Sequence, residues 1–435
     1  MDILRRDMLK LPGAAALLAA VPVAANCAPS PYGNLDGSWD AVRSLFALSQ
    51  ERVHMSAMLL AAHPAPVREA IERHRQALDA DTVAYLEENN DRLTQAARAA
   101  AGEYLGVDAS HIALTDSTTM GVGLIYGGFA IGPGEEILTT DEDYYVTHES
   151  LRLAALKTGA SVRRIDLFED IATVGEDEIV SRIAEALRPE TRLVALTWVH
   201  SSTGLKLPVA AIAAALDEAN AGRDEADHVL LGIDGVHGYG IENTSLSELG
   251  CDFLMAGCHK WLFGPRGTGM VAIGDRGLER VRPGIPSFTD DTVFAAWLED
   301  RDEPAGANSG PRMTPGGFKA FEHRWALTQA YEIHQAIGRQ RIAERTHELA
   351  GMLKDALAEI SGVTVVTPRS DALSAGIVSF DVDGSNPGQT VSRLRDRGIV
   401  ASVAPYATPH VRLTPSIRNT QAEIEHVAAA MQEMV

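Results

Sequence analysis

Five short β-rich runs in this sequence each end directly before polar or aromatic side chains able to do chemistry. Asp234 closes Val229-Leu230-Leu231-Gly232-Ile233, the most apolar of these runs, and Gly235-Val236-His237-Gly238 follows it. His259-Lys260 comes just after Phe253–Ala256. Ser117-Thr118-Thr119 follows His111–Thr115 and opens a helical stretch. Tyr144-Tyr145 follows Glu136–Thr140, and Ser201-Ser202-Thr203-Gly204 follows Arg192–Val199. Alone, each has an ordinary reading: a turn former, an N-cap, a core edge, a surface pair. As a set they are hard to explain by packing, because ligands of parallel α/β sheets gather at the carboxyl ends of strands.

The chemistry of the set is specific. A carboxylate at one strand end can hold a protonated ring nitrogen, and a desolvated lysine amine can bond an aldehyde. Hydroxyls at a helix N-terminus hold a phosphate. These are the needs of pyridoxal 5'-phosphate, whose pyridinium acts as an electron sink. The expected roles are Asp234 at the ring nitrogen, Lys260 at the aldehyde, and Tyr144 stacked on the ring. His237 with Ser201 or Ser202 would donate to the phenolic oxygen, and Ser117, Thr118 and Thr119 would hold the phosphate. The Asp234–Lys260 spacing, with a strand before each, is the specific part.

Elements able to position these groups are legible. β-rich runs at His111–Thr115, Glu136–Thr140, Ser161–Asp166, Arg192–Val199, His228–Asp234, Phe253–Ala256 and Gly269–Ile273 alternate with helical stretches at Thr118–Phe129, Thr147–Thr158, Glu176–Leu187 and Val209–Asn220. Such alternation predicts an α/β fold with a seven-stranded, mainly parallel sheet covered on both faces. Helices are expected over Arg68–Ala101, a long loop region over 274–318, and helices again from Phe321 to Ile360. Val363–Thr367, Gly376–Asp381 and Val411–Thr414 predict a smaller α+β domain. A last helix should be capped by Thr420 and Glu423. The expected division is a signal peptide at 1–25, an N-terminal arm at 26–64, a large cofactor-binding domain at 65–318 and a small C-terminal domain at 319–435.

Composition sets outer bounds. The 435 residues are 46% hydrophobic and 22% charged, which excludes disorder and a fibrous repeat. The 59 acidic against 38 basic residues give a net charge of −21, which repels nucleic acid and anionic lipid. Arg5-Arg6-Asp7-Met8-Leu9-Lys10 resembles a twin-arginine export signal; a short apolar run to Ala25 and small residues at Val23-Ala24-Ala25 follow. Periplasmic export of a folded, cofactor-loaded protein is expected, without stable membrane insertion. Cys27, Cys251 and Cys258 are the only cysteines, and no Cys/His spacing resembles a zinc site. An extended chain puts the Cα atoms of Cys251 and Cys258 about 23 Å apart, so no disulfide is expected between them.

Two longer stretches resemble a known family. Gly232-Ile233-Asp234-Gly235-Val236-His237-Gly238 and Ala256-Gly257-Cys258-His259-Lys260-Trp261-Leu262-Phe263-Gly264-Pro265-Arg266-Gly267-Thr268-Gly269 are similar to motifs of the class V aminotransferases, within the fold-type-I pyridoxal-phosphate enzymes. The His-Lys-Trp-Leu form is nearer the isopenicillin N epimerase-like branch. Arg5-Arg6, Pro315-Gly316-Gly317-Phe318 and Phe321-Glu322-His323-Arg324-Trp325 also resemble exported pyridoxal-phosphate enzymes of siderophore tailoring. The resemblance implies that Lys260 bonds the cofactor and shuttles the substrate Cα proton. It implies that His259 joins Thr118 and Thr119 at the phosphate, and that Arg412 binds a substrate carboxylate. It also implies a homodimer with shared active sites, residues 312–324 reaching across. The expected activity is transamination or oxidative deamination of an amino acid or peptide-like amine. Epimerisation or lyase chemistry is the alternative.

Some positions depart from the pattern. Gly257 stands where Ser, Thr or Asn is usual, and Met120 where Glu is common, which keeps open a catalytically silent binding protein. No cysteine follows Cys258, so desulfuration, which needs a thiol on a mobile C-terminal loop, is disfavoured. Cys258 itself reads as a small packing residue.

Overall fold

A computed structural model describes Leu35 and residues 37–435. The expected signal segment and Cys27 lie outside the described residues.

The central sheet has seven strands: β1 (Ile112–Thr115), β2 (Glu136–Thr140), β3 (Ser161–Ile165), β4 (Thr191–Thr197), β5 (Leu230–Asp234), β6 (Phe253–Gly257) and β7 (Gly269–Ile273). Their spatial order is β1-β7-β6-β5-β4-β2-β3. β3, β2, β4, β5 and β6 run parallel, and β7 runs antiparallel to both β6 and β1. Every residue of β1, β2 and β4–β7 is buried, as a sheet covered on both faces requires; only edge strand β3 is partly exposed.

Register brings the reactive strand ends together. Asp234 pairs with Thr197 on one side and Met255 on the other, so the ends of β4, β5 and β6 align. Gly269 lies opposite both Thr115 and Gly257, which sets the loop after β1 beside the end of β6.

A four-stranded antiparallel sheet follows, ordered Ser402–Val403, Val411–Leu413, Val378–Val382, Val363–Val365. Helices Arg339–Ala358, Pro387–Asp396 and Gln421–Gln432 build a core on it with Leu353, Phe380, Leu394 and Val427. The last helix has the expected capping box: Thr420 Oγ1 accepts from the Glu423 N–H, and Glu423 accepts from the Thr420 N–H.

Two features differ from the sequence reading. Residues 274–318 hold three helices, Asp275–Arg280, Asp291–Leu298 and Gly310–Met313. At 6, 8 and 4 residues they are too short to display a 3.6-residue period. Among its described residues the arm is helical only over Trp39–Ser44; Val53–His54 then pairs in parallel with Ile399–Val400, bonds that propensity alone does not reveal. Helices Phe321–Trp325 and Leu327–Ile337 pack on Ala65–Ala80 and Thr82–Leu105. The described residues cluster as one unit, so the division at residue 318 stands as a proposal.

Candidate active site

Helix Thr118–Gly128 aims its N-terminus at the end of β6. Ser117 caps it, its Oγ accepting from the Met120 N–H at 3.1 Å. Free N–H groups at such a terminus attract an anion. The Thr118 hydroxyl accepts from the Gly257 N–H at 2.7 Å, leaving its own proton for a ligand. The departure at Gly257 thereby gains a reason. A Cβ there would lie 2.8 Å from His259 Cε1 and 3.0 Å from Thr118 Oγ1. The space a Ser or Thr would take is filled by two of the expected phosphate ligands. We predict that Gly257→Ala weakens cofactor affinity about tenfold, read by equilibrium dialysis, with no comparable loss in Tm.

Asp234 ends β5 and is 3% exposed. Its Oδ1 accepts from the Val236 N–H at 3.2 Å. Burial pushes its pKa up to about 6, partly offset by that N–H and by Lys260, while Asp143 raises it further. The Lys260 amine is desolvated, and its pKa falls to about 8; Asp234 opposes the shift and Arg412 adds to it.

His237 is fixed by its neighbours. The Trp261 indole N–H donates to His237 Nδ1 at 3.2 Å. An indole only donates, so neutral His237 carries its proton on Nε2, which lies 3.4 Å from Lys260 Nζ. Burial holds the ring well below its usual pKa, which keeps it neutral.

Tyr144, Ser201, Pro405 and Arg412 line the same cavity. Arg412 sits in the four-stranded sheet and is 2% exposed, not a surface arginine. Its Nη1 donates to the Ser201 carbonyl at 2.7 Å, Nη2 to the Val403 carbonyl at 2.9 Å and Nε to Ser402 Oγ at 3.2 Å. A guanidinium has five N–H donors, so two remain for a ligand. Burial lowers its pKa to about 10, so it stays charged at neutral pH.

One cavity is thus lined by Ser117, Thr118, Thr119, Tyr144, Ser201, Asp234, His237, His259, Lys260 and Arg412. Ser202 is not among its walls; its carbonyl accepts from Ser379 Oγ at 2.8 Å, tying the strand end to the smaller sheet. Of the two adjacent candidates, Ser201 lines the cavity and Ser202 does not.

Sequence reasoning missed three contributors. Asp143 Oδ2 accepts from Thr139 Oγ1, the Thr140 N–H and Thr140 Oγ1, and its Oδ1 from the Thr197 N–H at 2.6 Å. It clamps the ends of β2 and β4 and so places Tyr144. Tyr406 shares a hydrogen bond with Ser201 Oγ at 2.8 Å and has its ring 5.7 Å from that of Tyr144. Trp261 sets the His237 tautomer. Trp261 stands in the motif beside Lys260, a signal that carries no role by itself; nothing local marks Asp143 or Tyr406.

The residues fit pyridoxal phosphate. A buried carboxylate of raised pKa suits a cationic ring N–H, a helix N-terminus flanked by hydroxyls suits a phosphate, and an amine of lowered pKa lines the same cavity. Among the described residues no cluster of His, Cys, Asp and Glu is arranged to hold a metal ion, and no helix is long and apolar enough to cross a membrane.

Comparison with known proteins agrees with this geometry. The family model for class V aminotransferases matches residues 61–425. Isopenicillin N epimerase from Streptomyces clavuligerus is 26% identical over 404 residues, covering 91% of this chain and 98% of the epimerase. A probable cysteine desulfurase from Halalkalibacterium halodurans is 25% identical over 335 residues, covering 74% of this chain and 77% of that protein. A solved structure of a C-DES variant, with glycine covalently linked to its PLP cofactor, has a TM-score of 0.80 at 23% identity. That match covers 90% of this chain and 99% of the other, and shows a shared fold.

Proposed function

The chain belongs to the class V aminotransferase family and is a pyridoxal-phosphate enzyme of fold type I, and from that premise we propose that it transaminates a primary amine bearing a nearby carboxylate. When bound, the cofactor supplies an electron sink for the pair released at the carbon carrying the amine. Asp234 would hold the ring nitrogen in its protonated form. Thr118, Thr119 and His259 would hold the phosphate, and the His237 Nε2–H would be available to the phenolic oxygen. Lys260 takes the proton from the substrate carbon as general base. Arg412 orients the substrate by its carboxylate, which fixes the bond to be broken relative to Lys260.

The observation that carries this reading is Arg412: a buried cation with two uncommitted N–H groups and no carboxylate partner among the described residues. Replacing it by Gln is expected to raise KM for the amine about 100-fold or more with a smaller change in kcat. A KM shift below about threefold would overturn the assignment.

Persulfide chemistry lacks its nucleophile among the described residues. Cys251 and Cys258 are buried free thiols, and desolvation pushes Cys258 up to about 12.

The near full-length likeness to isopenicillin N epimerase favours a second reading, epimerisation at the same carbon. Amine donors in deuterated water separate the two. Transamination yields an oxo product and loses the amine; epimerisation returns the amine, deuterated and inverted. Leu59 and Tyr145 are 48% and 66% exposed beside cavity residues, which supports a substrate with apolar bulk, such as a peptide-like amine in siderophore or other secondary-metabolite tailoring.

Export to the periplasm is part of the proposal, supported by Arg5-Arg6 and the apolar run after it. Exchange of both for Lys should retain the protein in the cytoplasm by fractionation, and undiminished export rejects the twin-arginine route. A homodimer is also proposed, supported by exposed Phe288, Trp297 and Phe318 in and beside the region expected to cross subunits. Sedimentation as a monomer at micromolar concentration rejects it.

A further inference from the structure

A second cavity lies between the arm and the start of the last helix, away from Lys260. Its walls include Arg43, Arg52 and His54 from the arm and Arg418 and Glu423 from the other side. Arg418 is the unusual member. It is 7% exposed, and its Nε is buried without an acceptor. No hydrogen bond or ion pair engages its guanidinium among the described residues; its neighbour is the Phe46 ring, 5.9 Å from Cζ. Glu423 acts on it through space and partly offsets its burial, but forms no ion pair with it among the described residues; Glu423 Oε2 accepts from the Thr420 N–H at 2.8 Å and from Asn419 Nδ2 at 3.3 Å. Asp40, also in the wall, lies 3.8 Å from Arg43.

Burying a guanidinium without an acceptor is costly, so an anionic partner would relieve it. The planar fork matches a carboxylate or phosphate edge, and three arginines against two engaged carboxylates leave the cavity positive. We propose that this cavity binds a small oxyanion, a carboxylate or phosphate, with Arg418 as its anchor and Arg43 and Arg52 at its rim. The site is distinct from the cofactor cavity, and neither assignment depends on the other.

Calorimetric titration of the cofactor-loaded enzyme at low ionic strength tests this, with inorganic phosphate and succinate as separate probes. Saturable binding of one equivalent of either probe is expected, and which one binds identifies the anion. Binding should persist in Arg412→Gln, which removes the free arginine of the active site, and weaken at least tenfold in Arg418→Gln. Should Arg418→Gln fail to fold, Arg52→Gln at the exposed rim is expected to weaken binding two- to fivefold. No binding of either probe, or binding lost in Arg412→Gln and kept in the arm and Arg418 variants, overturns the proposal. The cofactor absorbance, recorded in the same samples, keeps this result separate from the active-site reading.

Discussion

Lys260→Ala is expected to lose the yellow colour of covalently bound cofactor and to lower kcat by about 10⁴-fold or more. One side chain holds the bond to the cofactor and supplies the general base, and each role alone is worth orders of magnitude. The fold should survive, because among the described residues the amine makes no ion pair and its one hydrogen-bond contact is His237 Nε2 at 3.4 Å. The reaction requires the neutral amine. With the folded pKa near 8, the ammonium dominates below that pH. Capture of cofactor by the apoprotein should therefore quicken about tenfold per pH unit up to roughly pH 8 and level off above it. Stopped-flow absorbance measures this. A flat profile from pH 6 to 9, or full turnover in the Ala variant, rejects the assigned role.

Asp234→Asn carries the second large effect, and it acts on activity and stability in opposite directions. The amide keeps an acceptor for the Val236 N–H but gives no charge to the ring nitrogen. Losing a charge-assisted hydrogen bond to a developing electron sink in a dry site should cost kcat roughly 10²–10³-fold. The apoprotein should respond otherwise. Asp234 has a folded pKa of about 6 against an ordinary 3.8, so the native state holds its proton more tightly than the unfolded one. Stability from this group is present at low pH and is lost as pH rises through that window. At pH 8 the buried carboxylate is a net penalty, and the Asn apoprotein should melt higher than the parent. Calorimetry of both apoproteins at pH 8, beside kcat of both holoenzymes, provides the check. A lower Tm with unchanged kcat would make Asp234 a structural residue only.

The order of elements was legible because burial on both faces writes itself locally as apolar runs, as in β2 and β7, whose limits match the sequence reading residue for residue. The same holds for caps, where Thr420 and Glu423 are three positions apart. Shorter features were not legible. Ser402–Val403 has two residues, too few for any period, yet it supplies the hydroxyl and carbonyl that seat Arg412.

Local sequence carries the chemical types at the strand ends: a carboxylate, an amine, hydroxyls at a helix start and an aromatic ring. Motif spacing carries those because each needs only its own strand and turn. Tertiary structure alone decided which of Ser201 and Ser202 faces the cavity, that Asp143 clamps two strand ends, and that Arg412 is buried with donors to spare. Those facts depend on register and on contacts across 54 and 211 positions of chain, as in Thr197 to Asp143 and Arg412 to Ser201. Distances of that kind arise only when the chain closes on itself, so no local pattern can encode them.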